Sequence, residues 1–476
     1  MLKHLYIECT HTSGTTLKTG IQRVVRKVVD ELGAHMPDGT PISLIKIENG
    51  GFYSLDTLEP GLNTDKKIEV EVEVEVEVEV EVEVEAPSLL VFKLWLYNLA
   101  KEKRQQIADK LKWKPLNRFL MAPRTELGLL SILYTLSLIG VYKKIRIFII
   151  AVSERLSNDA DFSEPLSSSR TSEITFVEGD VILLLDSSFH LPAWRAIGDG
   201  KKQGAKFIAV IYDLIPITHS QFCEQTLTNA LNSWFEEGKN HLDGYIAISK
   251  TVQKTLQDHL ISINAQVDPH RLGYFYLGAD MEKREGQARP DLKNSLSKHD
   301  SYIIVSTIEP RKNHQYLIET FNQLWQENIK INLHIVGWVG WKVESLIQDI
   351  KNHPEFNKQL FLWNDLDDGE LIYCYKNSKA LVFPSYVEGF GLPIIEAQYY
   401  QLPVFASDIP VHREVGGDSV IYFDIEDTAD LKKKIYEVEF GYRSLKNGGL
   451  ATLEQFKWEN STKMLIQEVQ RIITLS

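Results

Sequence analysis

Two glutamates that flank a glycine-rich turn are the residues best suited to chemistry in this sequence. Glu388 and Glu396 stand eight positions apart in EGFGLPIIE, with two glycines and a proline between them. The apolar segment ALVFPS (380–385) before them predicts a strand, and Pro393 is placed as the first residue of a following helix. Glu388 is therefore expected in a loop and Glu396 about one turn into the helix.

The glycines and the helix start predict an anion site. Gly389 and Gly391 let the backbone pass close to a ligand, because they carry no Cβ atom. Free amides at Gly391 and Leu392, together with the helix dipole, favour a negative charge. Two carboxylates that flank such a cradle are not placed as the acid/base pair of a glycoside hydrolase. The pattern indicates a ligand with a phosphate between two hydroxyl-bearing ends, as in a nucleotide-sugar.

The segments around this motif predict an α/β fold. Uninterrupted apolar segments separated by helical ones are typical of a parallel sheet that is buried on both faces. Such segments occur in two series, at 5–8, 42–48, 180–188, 206–216, 244–249 and 274–280, and at 302–310, 331–338, 359–365, 380–385 and 403–408. We predict two tandem doubly wound Rossmann-like domains, with the ligand site in the cleft at the carboxyl ends of their strands.

The predicted domain boundaries follow from these series. They give a first domain at 1–280, a polar linker at 281–300, a second domain at 301–456 and a C-terminal helix at 457–476. The first domain contains an insertion at about 50–178, which includes a Glu-Val repeat at 69–85 and an apolar segment at 89–152. As a strand, the repeat would line its glutamates along one side about 7 Å apart. That repulsion favours a mobile insertion over an edge hairpin.

The apolar segment has two interpretations. Its uncharged run from Leu127 to Tyr142 has 16 residues, and Lys143, Lys144 and Arg146 follow it directly. A membrane-spanning helix needs about 20 apolar residues, so a span is not expected. A buried helix pair and a helical segment docked on a membrane surface both fit the pattern.

Composition excludes several classes of function. The formal net charge is −13, and nine of the negative charges belong to the Glu-Val repeat, so the rest of the chain gives no sign of a nucleic-acid surface. The three cysteines have neither a disulfide framework nor metal spacing, and no secretion signal opens the sequence. We expect a cytoplasmic protein, peripheral on the inner face of the cell membrane if the apolar segment docks there.

Several motifs together resemble glycosyltransferase family 4, the retaining nucleotide-sugar enzymes of the GT-B fold. They are E-x7-E after FPS, STIEPRKN (306–313), IVGWVGW (335–341), ASDIPVHREVGGDSVIYF (406–423) and the late FKWENSTKMLIQEVQRI. TGIQRVVR (19–26) and YDLIP (212–216) are similar to the polysaccharide-assembly branch of that family. The resemblance covers nearly the whole chain outside about 50–178, and it implies that the last helix crosses back onto the first domain.

The resemblance implies roles in the second domain. Glu388 would lie beside the donor sugar and the reacting centre, and Glu396 would bind the ribose. Arg311 and Lys312 would neutralise the diphosphate as charge accumulates on the leaving group. Family members commonly carry an arginine five residues before the lysine; Thr307 stands there, so Arg311 takes that role. The remaining donor-binding residues would be Gly389, Phe390, Gly391 and Leu392.

The first domain supplies further candidates. Gly20 would let a loop approach the donor phosphates, and Asp213 and His219 would face the cleft as catalytic residues. The alternative for Asp213 is that it caps a turn, and the alternative for His219 is an ordinary loop histidine. His190 in DSSFHLP is a similar candidate with a weaker claim.

A metal is not expected. DLDD at 365–368 imitates the Asp-x-Asp motif of metal-dependent glycosyltransferases, but it precedes the predicted helix GELIYCY. Acids at that position are expected to cap the helix. Because Arg311 and Lys312 would neutralise the diphosphate, neither a divalent ion nor another cofactor is required.

The resulting expectation is transfer of a sugar, with retention, from a nucleotide-sugar to a hydroxyl of a growing glycan or lipid-linked oligosaccharide. GDP-mannose is slightly preferred as the donor. The alternatives are an epimerase or phosphorylase of the same fold, and an inactive sugar-nucleotide-binding subunit. An epimerase would need acidic or basic groups on both faces of the donor sugar, and an inactive subunit would be favoured if Glu388 or Lys312 were missing.

Overall fold

A computed structural model describes most of the chain outside the predicted insertion. The described residues are 2–15, 20–36, 39–58, 173–191, 193–265, 268–280, 288–445 and 453–475. The Glu-Val repeat and the apolar segment at 89–152 lie outside these residues, so the predictions made for them remain predictions.

The first sheet has seven strands in the order β3-β2-β1-β4-β5-β6-β7. The strands are β1 (His4–Glu8), β2 (Ile42–Glu48), β3 (Gly51–Leu55), β4 (Asp180–Leu184), β5 (Lys206–Ile211), β6 (Gly244–Ala247) and β7 (Leu272–Tyr274). The helices are α1 (Thr10–Ser13), α2 (Gly20–His35), α3 (Trp194–Lys202), α4 (Ile215–Thr218), α5 (Gln225–His241) and α6 (Lys250–Ser262). Every residue of β4 and β6 is buried, as expected for central parallel strands with both faces covered.

Strand β3 was not predicted, and it begins where the insertion was expected to begin. It pairs antiparallel with β2, from Glu48 opposite Gly51 to Leu44 opposite Leu55. Asn49 and Gly50 join the two strands and both have positive φ, at 49° and 76°. Asn-Gly is the preferred sequence for such a two-residue hairpin, so the signal was present in the sequence.

The second sheet has six strands, all parallel, in the order β10-β9-β8-β11-β12-β13. They are β8 (Asp300–Val305), β9 (Ile331–Val336), β10 (Leu360–Trp363), β11 (Ala380–Phe383), β12 (Val404–Ser407) and β13 (Ile421–Phe423). The helices are α7 (Pro290–Lys298), α8 (His314–Gln326), α9 (Glu344–Asn352), α10 (Asp368–Asn377), α11 (Leu392–Tyr399), α12 (Pro410–Gly416) and α13 (Thr428–Glu439). Helix α7 occupies much of the range predicted as a polar linker.

The last helix, α14 (Trp458–Leu475), packs against the first sheet. The backbone N–H of Trp458 donates to Asp280 Oδ1 at 2.7 Å, and Arg471 donates to the carbonyl of Leu272 at 3.1 Å. Residues at the end of the sequence thus return to the domain formed by its beginning.

These two sheets confirm the predicted fold class of two Rossmann-like domains in tandem. The three cysteines, Cys9, Cys223 and Cys374, are free and buried. In the described ranges, we find no helix with the length and apolar character that crossing a membrane requires.

Candidate functional site

A cleft of about 730 Å³ separates the carboxyl ends of the two sheets. The first domain contributes the start of α2 to its wall, and the second contributes the loops after β8, β9 and β11 together with the start of α11. The lining includes Gly20, Arg23, Arg26, Thr307, Arg311, Lys312, Trp338, Trp363, Glu388, Gly391, Leu392 and Glu396. A cavity of this volume is within the ordinary range for a small-molecule or cofactor site.

The glycine-rich loop sets the entry into α11. Gly391 is the residue before the helix and has φ of 96°, a backbone conformation that side chains rarely adopt. The helix begins at Leu392, one residue earlier than predicted, with Pro393 in its first turn. The first turn accepts proline because its N–H groups have no partner within the helix.

A buried charge cluster lies on the second-domain side of the cleft. We use this name for Glu388, Arg311, Lys312 and Glu309. Glu388 Oε1 lies 2.5 Å from Lys312 Nζ, and its Oε2 lies 2.7 Å from an Arg311 guanidinium nitrogen. Glu309 Oε1 lies 2.8 Å from another nitrogen of Arg311. The predicted site residues Glu388, Arg311 and Lys312 are therefore in direct contact.

The charges fix the protonation of this cluster. Burial by itself raises the pKa of Glu388, but the cations of Arg311 and Lys312 outweigh burial and hold it well below its usual range. The pKa of Arg311 lies above its ordinary value, because the attraction of Glu388 and Glu309 outweighs burial. Burial raises the pKa of Glu309, with Arg311 and Lys312 opposing that change. Glu388 is thus a carboxylate held between two cations.

Glu396 has partners on both sides of the cleft. Its Oε1 lies 2.5 Å from a guanidinium nitrogen of Arg23, which belongs to the first domain. Its Oε2 accepts a hydrogen bond from the hydroxyl of Tyr375 at 2.7 Å. The side chain of Glu396 is 5% exposed and that of Arg23 is 19% exposed, so this ion pair across the cleft is largely shielded from water.

Gly20 lies where the sequence placed it, at the start of α2 and in the cleft wall. Its φ is 54°, and a Cβ atom built on it would meet no other atom within 4 Å. Glycine is therefore favoured by the backbone conformation rather than by crowding.

The lining found for the cleft in the described chain does not include Gly389 or Phe390. A Cβ atom on Gly389 would overlap the carbonyl oxygen of Tyr212, and its own carbonyl accepts from Ser249 Oγ at 2.8 Å. Phe390 is 3% exposed and packs near the rings of Tyr276 and Phe456. These two residues hold the loop against the first domain.

Asp213 lies beside the charge cluster and also accepts a hydrogen bond in the turn that precedes α4. It lines a second cavity, of about 320 Å³, together with Arg311. Its Oδ1 accepts from the backbone N–H of Ile215 at 3.0 Å, which is the turn-capping alternative. Burial raises its pKa, and the nearby Arg311 lowers it.

The two histidine candidates lie outside the lining found for either cavity. His219 Nδ1 is hydrogen-bonded to Thr218 Oγ1 at 2.9 Å, and its ring stacks on Phe222 with centroids 6.4 Å apart. His190 stands edge-on to His11 at 6.0 Å, and burial lowers its pKa. The structure does not bring either histidine to the charge cluster.

Of the acids in DLDD, Asp367 caps the following helix, as predicted. Asp367 accepts from the backbone N–H of Glu370 at 2.8 Å and forms a capping box with it. Asp365 lies 2.8 Å from Arg289. Within the described ranges, no group of three or more His, Cys, Asp or Glu side chains is arranged to hold a metal ion.

Four residues of the site were missed by sequence reasoning. Arg23 follows Gly20 by three positions in a motif that was quoted, but its partner is 373 positions away. Tyr375 lies in an unremarkable helix, and Glu309 directly precedes the Pro-Arg-Lys turn. His412 packs against the turn, with its Cδ2 atom 3.4 Å from a Cβ built on Gly391, and burial lowers its pKa to about 4. Only Glu309 had a local signal, as an acid beside two cations.

Parts of the chain match known glycosyltransferases. Residues 290–446 match the family model described as glycosyl transferases group 1. The serotype-specific mannosyltransferase WbdA of Escherichia coli is 30% identical over 306 residues, which is 62% of this chain and 38% of that protein. O-antigen chain mannosyltransferase B of Escherichia coli is 32% identical over 178 residues, covering 37% of this chain and 46% of that protein. The chain thus spans less than half the length of these relatives.

The fold is shared with a solved structure. A glycosyltransferase from Rickettsia africae ESF-5 is 15% identical to this chain, with a TM-score of 0.51 and full coverage of both chains. The charge cluster lies within the stretch that matches the family model. Residues 290–446 thus match the glycosyl transferases group 1 model, and the chain has a GT-B fold of two Rossmann-like domains.

Proposed function

We propose that this chain is a retaining glycosyltransferase of family 4 in polysaccharide assembly. It moves a sugar from a nucleotide-sugar, GDP-mannose in the first instance, to a hydroxyl of a growing glycan or lipid-linked oligosaccharide. The observation that carries the proposal is Glu388 held between Arg311 and Lys312, at the start of α11 and in the cleft wall.

The two cations support a diphosphate site. Arg311 and Lys312 share the carboxylate of Glu388, and Arg311 also contacts Glu309. A diphosphate brings more negative charge and more acceptor oxygens than the single carboxylate of Glu388. Hydrogen bonds between charged groups are the strong ones, and arginine binds phosphate in two-pronged geometry. The diphosphate of a donor that enters the cleft would therefore replace Glu388 as the partner of Arg311 and Lys312. Glu388 would then be free to turn toward the sugar.

The pair of Glu396 and Arg23 supports a ribose site. Both oxygens of Glu396 are already oriented, one by Arg23 and the other by Tyr375. Each carboxylate oxygen can accept more than one hydrogen bond, so the ribose hydroxyls can donate to Glu396 without breaking these contacts. Because Arg23 belongs to the first domain, donor binding and domain closure become linked at this residue.

The chemistry follows from the charge distribution. The bond between the sugar and the diphosphate breaks, the acceptor oxygen forms the new bond on the same face, and the acceptor proton passes to the departing diphosphate. Arg311 and Lys312 stabilise the negative charge on that diphosphate, and Glu388 stabilises positive charge on the sugar ring. In this proposal neither a metal ion nor a covalent nucleophile is needed.

The donor is inferred from the relatives. Two of the similar proteins are named mannosyltransferases, and one is named for O-antigen chains. This supports mannose as the transferred sugar and a cell-surface glycan as the acceptor.

A panel of donors tests the proposal. The thermal unfolding of the full chain would be measured with GDP-mannose, GDP, UDP-glucose and UDP-N-acetylglucosamine, each with magnesium and with a chelator. We expect stabilisation by GDP and GDP-mannose that does not depend on magnesium. Stabilisation by uridine compounds alone would show that the donor is a UDP-sugar and not GDP-mannose. Stabilisation that requires magnesium would overturn the metal-free mechanism. No stabilisation by any of them would contradict the donor site.

A further inference from the structure

A second cavity of about 320 Å³ lies beside the cleft; most of its lining belongs to the first domain, and Arg311 and Trp341 of the second domain complete it. We call it the first-domain chamber. It lies between strands β4 and β5 on one side and helices α3 and α5 on the other. Its apolar wall includes Trp194, Ile197, Leu227, Leu231, Trp234 and Phe235.

The apolar wall favours an apolar occupant. The rings of Trp194 and Trp234 are neighbours, with centroids 5.6 Å apart, and Leu231 and Phe235 are buried. Water in such a cavity finds few hydrogen-bond partners, whereas an apolar group leaves water and gains packing contacts. The volume is at the lower limit of ordinary ligand pockets, enough for a substituent rather than a long chain.

One side of the chamber carries two buried carboxyl groups. Glu8 is fully buried, and its Oε1 accepts from the backbone N–H of Thr10 at 2.8 Å and from Ser188 Oγ at 2.9 Å. Glu8 Oε2 is buried and has no hydrogen-bond partner among the described residues. Asp186 accepts from the backbone N–H of Thr12 at 2.6 Å. An unpaired buried oxygen is costly, so a hydroxyl or amide donor from a ligand is favoured there.

The chamber adjoins the charge cluster. Arg311 lines both the cleft and the chamber, and Asp213 lines the chamber next to it. A ligand in the chamber would therefore have its free end close to the predicted site of the donor diphosphate. The lining carries the acids Glu8, Asp186 and Asp213 beside the guanidinium of Arg311, so an anionic ligand is disfavoured and a neutral one is expected.

We propose that the first-domain chamber binds an alkyl or acyl substituent of the acceptor and sets a preference for neutral, amphipathic glycosides. This inference rests on the proposed function, since it assigns the acceptor to the same reaction. The substituent packs against Trp194, Trp234 and Leu231, and a hydroxyl or amide of the same group donates to Glu8.

A pair of glycosides tests the inference directly. Binding of methyl α-D-mannopyranoside and n-hexyl α-D-mannopyranoside to the full chain would be measured by calorimetry. We expect the hexyl compound to bind at least tenfold more tightly. In Leu227→Trp, which fills the chamber from its half-buried rim, we expect that advantage to be lost.

Thr226→Trp is the matched control, because it adds the same ring at an exposed position outside the chamber lining. It should keep the tenfold advantage. Equal binding of the two glycosides by the wild type would overturn the inference, as would an unchanged advantage in Leu227→Trp. If Leu227→Trp unfolds at a lower temperature than the control, Leu231→Phe provides a second, smaller filling of the same space.

The test separates this inference from the proposed function. Binding of hexyl mannoside needs no nucleotide, and binding of GDP needs no acceptor. If the chain binds GDP but does not distinguish the two glycosides, the donor site is supported and the proposal for the chamber is overturned. If the chain prefers the hexyl glycoside but does not bind GDP, the donor site is overturned and the chamber is still supported as a site for an apolar group.

Discussion

The two domains carry different charged groups at equivalent places. In the second domain, Arg311 and Lys312 lie beyond the carboxyl ends of the strands and pair with Glu388 and Glu309. In the first domain, the corresponding edge of the sheet carries Glu8 and Asp186, in an apolar chamber. The same type of parallel sheet thus presents cations to one ligand and carboxyl groups to another. The chemistry is determined by these side chains and not by the fold.

The difference also appears in how the charges are satisfied. Glu388 has a cation at each oxygen, whereas Glu8 has hydroxyl and amide donors at one oxygen and no described partner at the other. One site is therefore electrostatically balanced and suited to exchange one anion for another. The other is suited to a neutral ligand that donates a hydrogen bond.

The largest effect is expected when a cation of the second-domain charge cluster is removed. Lys312→Ala should lower donor turnover by a factor of about 100 or more, since one group that stabilises the leaving charge is lost. Release of GDP from the donor would be measured, with the exposed Lys358→Ala as the control. Wild-type turnover in Lys312→Ala would show that this lysine takes no part in donor turnover.

The acidic side of the comparison predicts a pH dependence of stability. Burial and, to a smaller degree, the neighbouring Asp186 raise the pKa of Glu8 from 4.5 to about 7. The folded state therefore holds a proton that the unfolded state releases, so its stability falls as the pH rises from about 4.5 to about 7. The full shift corresponds to roughly 3 kcal/mol.

Glu8→Gln checks this sign. Its free energy of unfolding, measured in urea at pH 5 and pH 8, should lack the decrease that the wild type shows between the two values. Parallel behaviour of the two proteins would mean that Glu8 is ionised throughout this range in the folded state.

A smaller effect is expected where the two domains meet. Arg23→Ala leaves the buried carboxylate of Glu396 without its cation, at a cost of about 2 kcal/mol in the free energy of unfolding. Arg413→Ala removes an exposed ion pair with Asp408 and should leave unfolding nearly unchanged. Equal effects of the two substitutions would show that the contact across the cleft adds nothing to stability.

The smallest effect is expected at the glycine-rich turn. Gly391→Ala forces a side chain into a backbone conformation with φ of 96° and should cost about 1 kcal/mol. The melting temperature measures this loss, and Gly33→Ala is the control, since a Cβ there has open space and the helix gains a better former. A Gly391→Ala protein as stable as the wild type would show that the turn relaxes without cost.

The sequence predicted the fold and the central cluster because both depend on local patterns. Apolar runs identified the parallel strands, and Glu388, Arg311 and Lys312 belong to short motifs next to strand ends. The antiparallel β3 was not predicted although the sequence contains its Asn-Gly turn, because the repeat that follows breaks the α/β pattern and made the whole region resemble an insertion.

The rest could not be predicted because it depends on contacts between distant residues. Arg23 and Glu396 are 373 positions apart, and neither motif indicates that the other is its partner. The close approach of Gly389 to the carbonyl of Tyr212 is likewise a contact between residues far apart in the sequence. The chamber depends on helices α3 and α5 packing together over strands β4 and β5, an arrangement that no sequence periodicity predicts.

A calorimetric titration with GDP tests the central claim, which is that Glu388 pairs with Arg311 and Lys312, the two cations that a donor diphosphate would bind. The wild type, Lys312→Ala and Glu388→Gln would be compared. We expect Lys312→Ala to weaken GDP binding at least tenfold, and Glu388→Gln to bind GDP as tightly as the wild type or more tightly, while its donor turnover is lost. Equal weakening in both variants, or no change in either, would contradict the claim.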